Sequence, residues 1–252
     1  FFTILLLYKV FKSFRIPDRF SYLLLTLYLC SPISYIYLWY LSEAFFIPFV
    51  LLSFLSFQKW LQTENGINLI FTGFLLGISV MIRFAGLGFV AAYFIFFLIK
   101  IRKQAIRSIF SKVFTFLSSF ILVVLPWMIY ANLHGTGPTD RHSDFELLSL
   151  LKIKGFFLSF GSWIFGNLEG LLLVGASSVI LMVIYNKPIR SSLRYLAIDK
   201  EIKNEQIKIL ICLSLIYVFF ILFSVSFLDH AIPLTNRIFS PLYPFFLCSL
   251  GI

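Results

Sequence analysis

Residues 65–99 read NGINLIFTGFLLGISVMIRFAGLGFVAAYFIFFLI, thirty-five positions in which Arg83 is the only charged side chain. A membrane span takes about 20 apolar residues at about 1.5 Å each, so the stretch reads as one hairpin of two slightly short helices with the charge near its apex. N-terminal to it, the thirty-nine residues between Arg19 and Lys59 hold one ionisable side chain besides cysteine and tyrosine, Glu43. They have room for two spans meeting at a turn that contains Glu43. C-terminal to it, 113–131, 168–185 and 209–228 are further apolar runs, and a last one begins after Pro244. Phe1–Tyr8 and Phe245–Ile252 read as helices cut short. The expectation is an all-α, polytopic transmembrane bundle of about seven complete and two partial spans. It forms a single domain, 1–252, truncated at both ends.

Composition points the same way. The 252 residues are 60% hydrophobic, 19% aromatic and 13% charged, with a mean hydropathy of +0.95. A soluble chain needs about a quarter charged residues to cover its outside, so lipid must cover most of this one. Disorder is excluded by the same composition, and a transmembrane barrel by the unbroken, non-alternating apolar runs.

The net charge of +10 is topological. Sixteen of the 21 Lys and Arg fall in four clusters, Lys9 to Arg19, Lys59, Lys100 to Lys112 and Lys187 to Lys208, all cytoplasmic by the positive-inside rule. Bases spread over short loops between spans make no nucleic-acid surface. Trp39, Tyr40, Trp127, Tyr130 and Tyr243 lie near the expected outer ends, as an interfacial aromatic belt would. The phenylalanines could line an apolar groove, though ordinary lipid-facing surface is the expected fate of most of them. Cys30, Cys212 and Cys248 have no metal or redox spacing and read as packing residues. Glycine and proline read as clustering at span ends, and no internal repeat is evident.

The outer face then receives the turns at Glu43 and Arg83, a loop over 132–167 with an expected interfacial helix, and the stretch 229–240. Glu43 and Arg83 are either span-end charges in water or, if both face the bundle interior, one outward-facing site. His142 and Asp144 alternate as two ligands of one ion would, but without a known metal spacing a solvated polar loop is the better reading. Asp229 and His230 open a stretch with Pro233, Pro241 and Pro244. Irregular backbone beside a membrane is tolerated where protein buries it or a wet cavity adjoins it. Arg237, within that stretch, either holds a lipid phosphate at headgroup depth or snorkels to the surface.

Four runs carry a resemblance: Ser42-Glu43-Ala44-Phe45-Phe46; Phe71-Thr72-Gly73 through Gly77 to Arg83-Phe84-Ala85-Gly86; Leu125-Pro126-Trp127 with Asn132 and Gly135; and Asn236-Arg237-Ile238-Phe239-Ser240-Pro241-Leu242-Tyr243-Pro244. In this order they resemble polytopic GT-C fold glycosyltransferases, in particular the dolichyl-phosphate-mannose protein mannosyltransferase and aminoarabinose transferase-like branch. Ile238 stands where that family often has Tyr after the arginine.

The resemblance implies a hexosyl- or pentosyltransferase that moves a sugar from a polyprenyl-phosphate donor to a hydroxyl of a lipid, glycan or protein acceptor. Transfer would occur on the extracytoplasmic face of a multi-pass protein, most simply in a bacterial inner membrane. It places Arg83 and Arg237 at the donor phosphate, Glu43 as a second acidic residue, and the principal base in a loop upstream of Phe1. His142, Asp144, Asp229 and His230 are candidate site-loop residues, and participation of a divalent metal stays open. Such chemistry needs a carboxylate for the acceptor proton and cations for the leaving phosphate. The rival readings are a multi-pass transporter or flippase, which predicts inverted repeats and broken helices; a non-catalytic membrane scaffold, which would not need Glu43, Arg83 or Arg237; and an O-antigen polymerase or ligase-like protein using a diphosphate-linked glycan.

Overall fold

The computed structural model describes residues 2–31, 41–101, 106–134, 200–227 and 236–251. Among these every regular element is helical. The helices are α1 (Phe2–Ser13), α2 (Asp18–Cys30), α3 (Leu41–Thr63), α4 (Gly66–Ile82), α5 (Gly86–Ile101), α6 (Ile106–Leu133), α7 (Lys200–Phe227), the single-turn α8 (Asn236–Phe239), a 3-10 turn (Ser240–Leu242) and α9 (Tyr243–Gly251). Three of them, α3, α6 and α7, contain apolar stretches long enough to cross a membrane: Ser42–Thr63, Ser108–Leu133 and Ile207–Ser226. The hairpin pair α4 and α5 is apolar but shorter, 17 and 16 residues.

Local chemistry sets the turns. α3 ends at Glu64, whose φ of 51° lies in the left-handed region. The side chain of Asn65 then caps α4, accepting from the Ile67 N–H at 3.0 Å and satisfying one of the donors a helix start leaves open. At this end Lys112 of α6 bonds Glu64 at 2.6 Å and sits 6.0 Å from the Trp60 ring. Lys59 and Lys100 lie at the same end, and Glu43 is at the opposite end of α3, roughly 30 Å away by helix rise.

α4 is the hub, packed against α3 on one side and α6 on the other. Gly73 and Gly77, one turn apart, form its seam with α6. A Cβ on Gly73 would overlap Ser119 Oγ and stand 2.6 Å from the Phe116 carbonyl, and one on Gly77 would stand 2.8 Å from Val123 Cβ. Without a hydrophobic drive between helices in lipid, such close approach is what lets dispersion hold them. α5 packs on α7, α1 on α3, and α9 on α2. The core is aromatic: Phe57 meets Tyr93 edge-on at 4.9 Å, and Trp60 lies 5.0 Å from Phe97.

Several expectations are corrected. Proline and glycine are not confined to span ends, since Pro48 and Pro126 lie inside α3 and α6 and Gly73 and Gly77 inside α4. Tyr243 is no belt residue: it is buried, stacked 6.0 Å from Tyr28, with its hydroxyl donating to the Leu27 carbonyl at 3.4 Å. Cys248 is buried, but Cys30 is exposed at the end of α2, so packing does not account for it. Among the described residues the phenylalanines divide between core and surface. Phe11, Phe46, Phe54, Phe89 and Phe97 are core, whereas Phe110, Phe114 and Phe219 face outward. Tyr130, by contrast, is exposed in the last turn of α6. The loop over 135–167 and the apolar run 168–185 lie outside the described residues.

Candidate functional site

Glu43 sits in the first turn of α3, where its negative charge meets the positive end of the helix dipole. Arg83 is the residue after α4, in extended conformation with φ −154° and ψ 123°, its N–H bonded to the Ser79 carbonyl. The chain then turns tightly into α5, with the Gly86 N–H bonding the Arg83 carbonyl at 2.8 Å. The α3–α4 hairpin therefore returns Arg83 to the end at which Glu43 starts. Arg83 Nη1 donates to Glu43 Oε1 at 2.6 Å, and Ser42 Oγ donates to Glu43 Oε2 at 2.6 Å. Glu43 is wholly buried, whereas the Arg83 side chain keeps 17% of its surface exposed. A charge-assisted pair in such surroundings is strong and directional.

Tyr217 of α7 lies within electrostatic reach of both charges. It is fully buried, its ring 4.5 Å from that of Phe89 at the start of α5, and its hydroxyl donates to the Ile238 carbonyl at 3.0 Å. The Asn236–Pro244 run is thereby fastened to the same neighbourhood. The described part of this stretch is helical where irregular backbone was expected: Pro241 lies at the start of the 3-10 turn, and Pro244 stands in the first turn of α9, where a missing N–H costs nothing. Arg237 is carried on α8.

Of the sequence candidates, then, the structure joins Glu43 to Arg83 directly. His142, Asp144, Asp229 and His230 lie outside the described residues. Among the described residues no group of three or more His, Cys, Asp or Glu side chains is placed to hold a metal ion. Sequence reasoning passed over Ser42 as a site residue and missed Tyr217 altogether, because a tyrosine in an apolar run carries no charge to mark it. Its one signal is a hydroxyl in a span, which must find a partner.

Compared with known protein families, curated proteins and solved structures, the chain matches none.

Proposed function

We propose that this chain is the membrane part of a glycosyltransferase that moves a hexose or pentose from a polyprenyl-phosphate donor to an acceptor hydroxyl on the extracytoplasmic side. One observation carries the reading: Glu43 and Arg83, drawn from two of the four resembling runs, meet in one ion pair, and Tyr217 ties a third run beside it. In this reading the partly exposed Arg83, with Arg237, meets the donor phosphate as it takes up charge, a task suited to a planar guanidinium fork. Glu43 serves as a second acidic group, and the principal proton acceptor is a different group. The helices form a GT-C-like bundle of about seven spans, set in a bacterial inner membrane with the Glu43–Arg83 end outward.

The test is sugar transfer by membranes bearing Glu43→Ala, Arg83→Ala and Arg237→Ala variants matched for protein level. Loss of transfer in the arginine variants supports the enzyme; unchanged transfer in all three removes the site. An O-antigen ligase-like protein would instead use a diphosphate-linked glycan, so the phosphate number of the accepted donor separates that reading.

A further inference from the structure

Tyr217 joins three parts of the protein that the sequence keeps far apart. Its ring lies against α5 at Phe89, 4.5 Å between centroids. That closeness depends on Gly88, where a Cβ would stand 2.9 Å from Tyr217 Cδ2 and 3.1 Å from Phe220 Cδ1. Its hydroxyl reaches out of α7 to the Ile238 carbonyl, 3.0 Å away. That carbonyl has a local need. A 3-10 continuation would serve it with the N–H three residues on, but that residue is Pro241 and has none. The hydroxyl of another helix supplies the donor instead. A bond buried in an apolar bundle is worth more than one in water, because its loss strands a polar group where nothing replaces it. Glu43 and Arg83 complete the surroundings, within electrostatic reach of the same side chain.

We propose that Tyr217 is a positioning residue: its hydroxyl fixes the Asn236–Leu242 segment, and with it the backbone of Arg237, at a set place beside the Glu43–Arg83 pair, so that the two arginines act as one phosphate site. The phosphate rests on the function proposed above; the fastening of the segment does not. Tyr217 touches no substrate in this arrangement and acts through the segment it holds.

The experiment uses the full-length protein in nanodiscs of phosphatidylcholine, as wild type, Tyr217→Phe, and Tyr217→Phe combined with Pro241→Ala. Tyr217→Phe keeps the ring and removes only the donor; Pro241→Ala restores a backbone N–H three residues after Ile238. The first readout is hydrogen–deuterium exchange of the amides in 236–244. Tyr217→Phe should raise it by up to about tenfold, the loss of one net hydrogen bond, with α3 to α5 unchanged, and the added Pro241→Ala should take back part of the rise. Unchanged exchange in Tyr217→Phe would make Tyr217 a packing residue and overturn the proposal, as would a rise spread evenly over all helices.

The second readout is binding of a polyprenyl monophosphate, the leaving group of the proposed reaction, with inorganic phosphate in parallel to separate a lipid phosphate from a free one. Arg83→Lys and Arg237→Lys should be coupled in the wild type, and Tyr217→Phe should weaken that coupling about fivefold. Coupling that survives Tyr217→Phe overturns the single-site claim. If the wild type binds neither probe while exchange still responds to Tyr217→Phe, the donor-phosphate reading falls and the fastening of the segment stands.

Discussion

Arg83 Nη1 meets Glu43 Oε1 at 2.6 Å across forty residues of sequence, and the carboxylate it holds has no exposed surface. Removing one partner leaves the other charge buried without its counter-ion, which costs roughly 3 kcal/mol or more. Removing both together costs less, because no stranded charge remains. Glu43→Gln and Arg83→Met should therefore each lower the unfolding temperature in detergent more than Glu43→Gln/Arg83→Met does. Strict additivity of the two single losses would show that the contact contributes nothing.

The α4–α6 seam makes a second demand. Gly73 has Ser119 Oγ and the Phe116 backbone where a Cβ would go, whereas Gly66, at the start of the same helix, has nothing within 4 Å. Gly66→Ala should be neutral or stabilising by up to about 1 kcal/mol through helix propensity. Gly73→Ala should destabilise despite the same propensity gain, since backbone atoms of α6 must move. Thermal unfolding of the two variants side by side decides it, and equal shifts would dissolve the seam.

Gln58 is 4% exposed, and neither its Oε1 nor its Nε2 has a hydrogen-bond partner among the described residues. A buried amide in this condition bears a desolvation cost of about 1–3 kcal/mol, which an apolar side chain of similar size avoids. Gln58→Leu is expected to raise the unfolding temperature. A clear fall would reveal a partner for the amide.

How far these features could be read in the sequence follows from what each depends on. The helical character, and the turn at Arg83–Gly86, were legible because charge in a span is costly and therefore marks its ends. The pairing of Glu43 with Arg83 was half legible: two charges at the same expected end, with nothing in one dimension to say that they touch. Tyr243 was misread because its outer position suits a belt, whereas burial depends on Tyr28 of α2 lying opposite. Tyr217 was invisible, since its importance lies in a carbonyl twenty-one positions away that a proline leaves in need of a donor.

At the opposite end of the bundle, Asp18 accepts from Lys12 at 2.8 Å and from the Tyr8 hydroxyl at 2.9 Å. The Lys12 bond first, and the Tyr8 bond second, hold its carboxyl below the ordinary value of 3.8. A lowered folded value means that the contact supports the fold above the ordinary carboxylate range and that this support is lost as pH falls through the lowered value. The group is solvent-exposed, so the effect is small. Asp18→Asn should lower the unfolding temperature slightly at pH 7, and the difference should shrink as pH falls below the ordinary carboxylate range; a difference undiminished in acid would have another origin.

In the proposed transfer, the role of Glu43 separates two chemistries. A general base must come within hydrogen-bond reach of the acceptor hydroxyl, yet Glu43 is wholly enclosed, one oxygen taken by Arg83 and the other by Ser42. Its geometry is that of a group that aims the guanidinium. On the proposed function, Glu43→Gln should therefore lower kcat/KM for the proposed polyprenyl-phosphate donor at every pH and leave the acidic limb of the pH–rate profile where the wild type has it, the proton acceptor in that reading being a different group. Glu43→Asp, which keeps the charge on a shorter stem, should recover part of the loss. Disappearance of the acidic limb in Glu43→Gln, with donor KM unchanged, would return the proton to Glu43 and require the pair with Arg83 to open during the reaction.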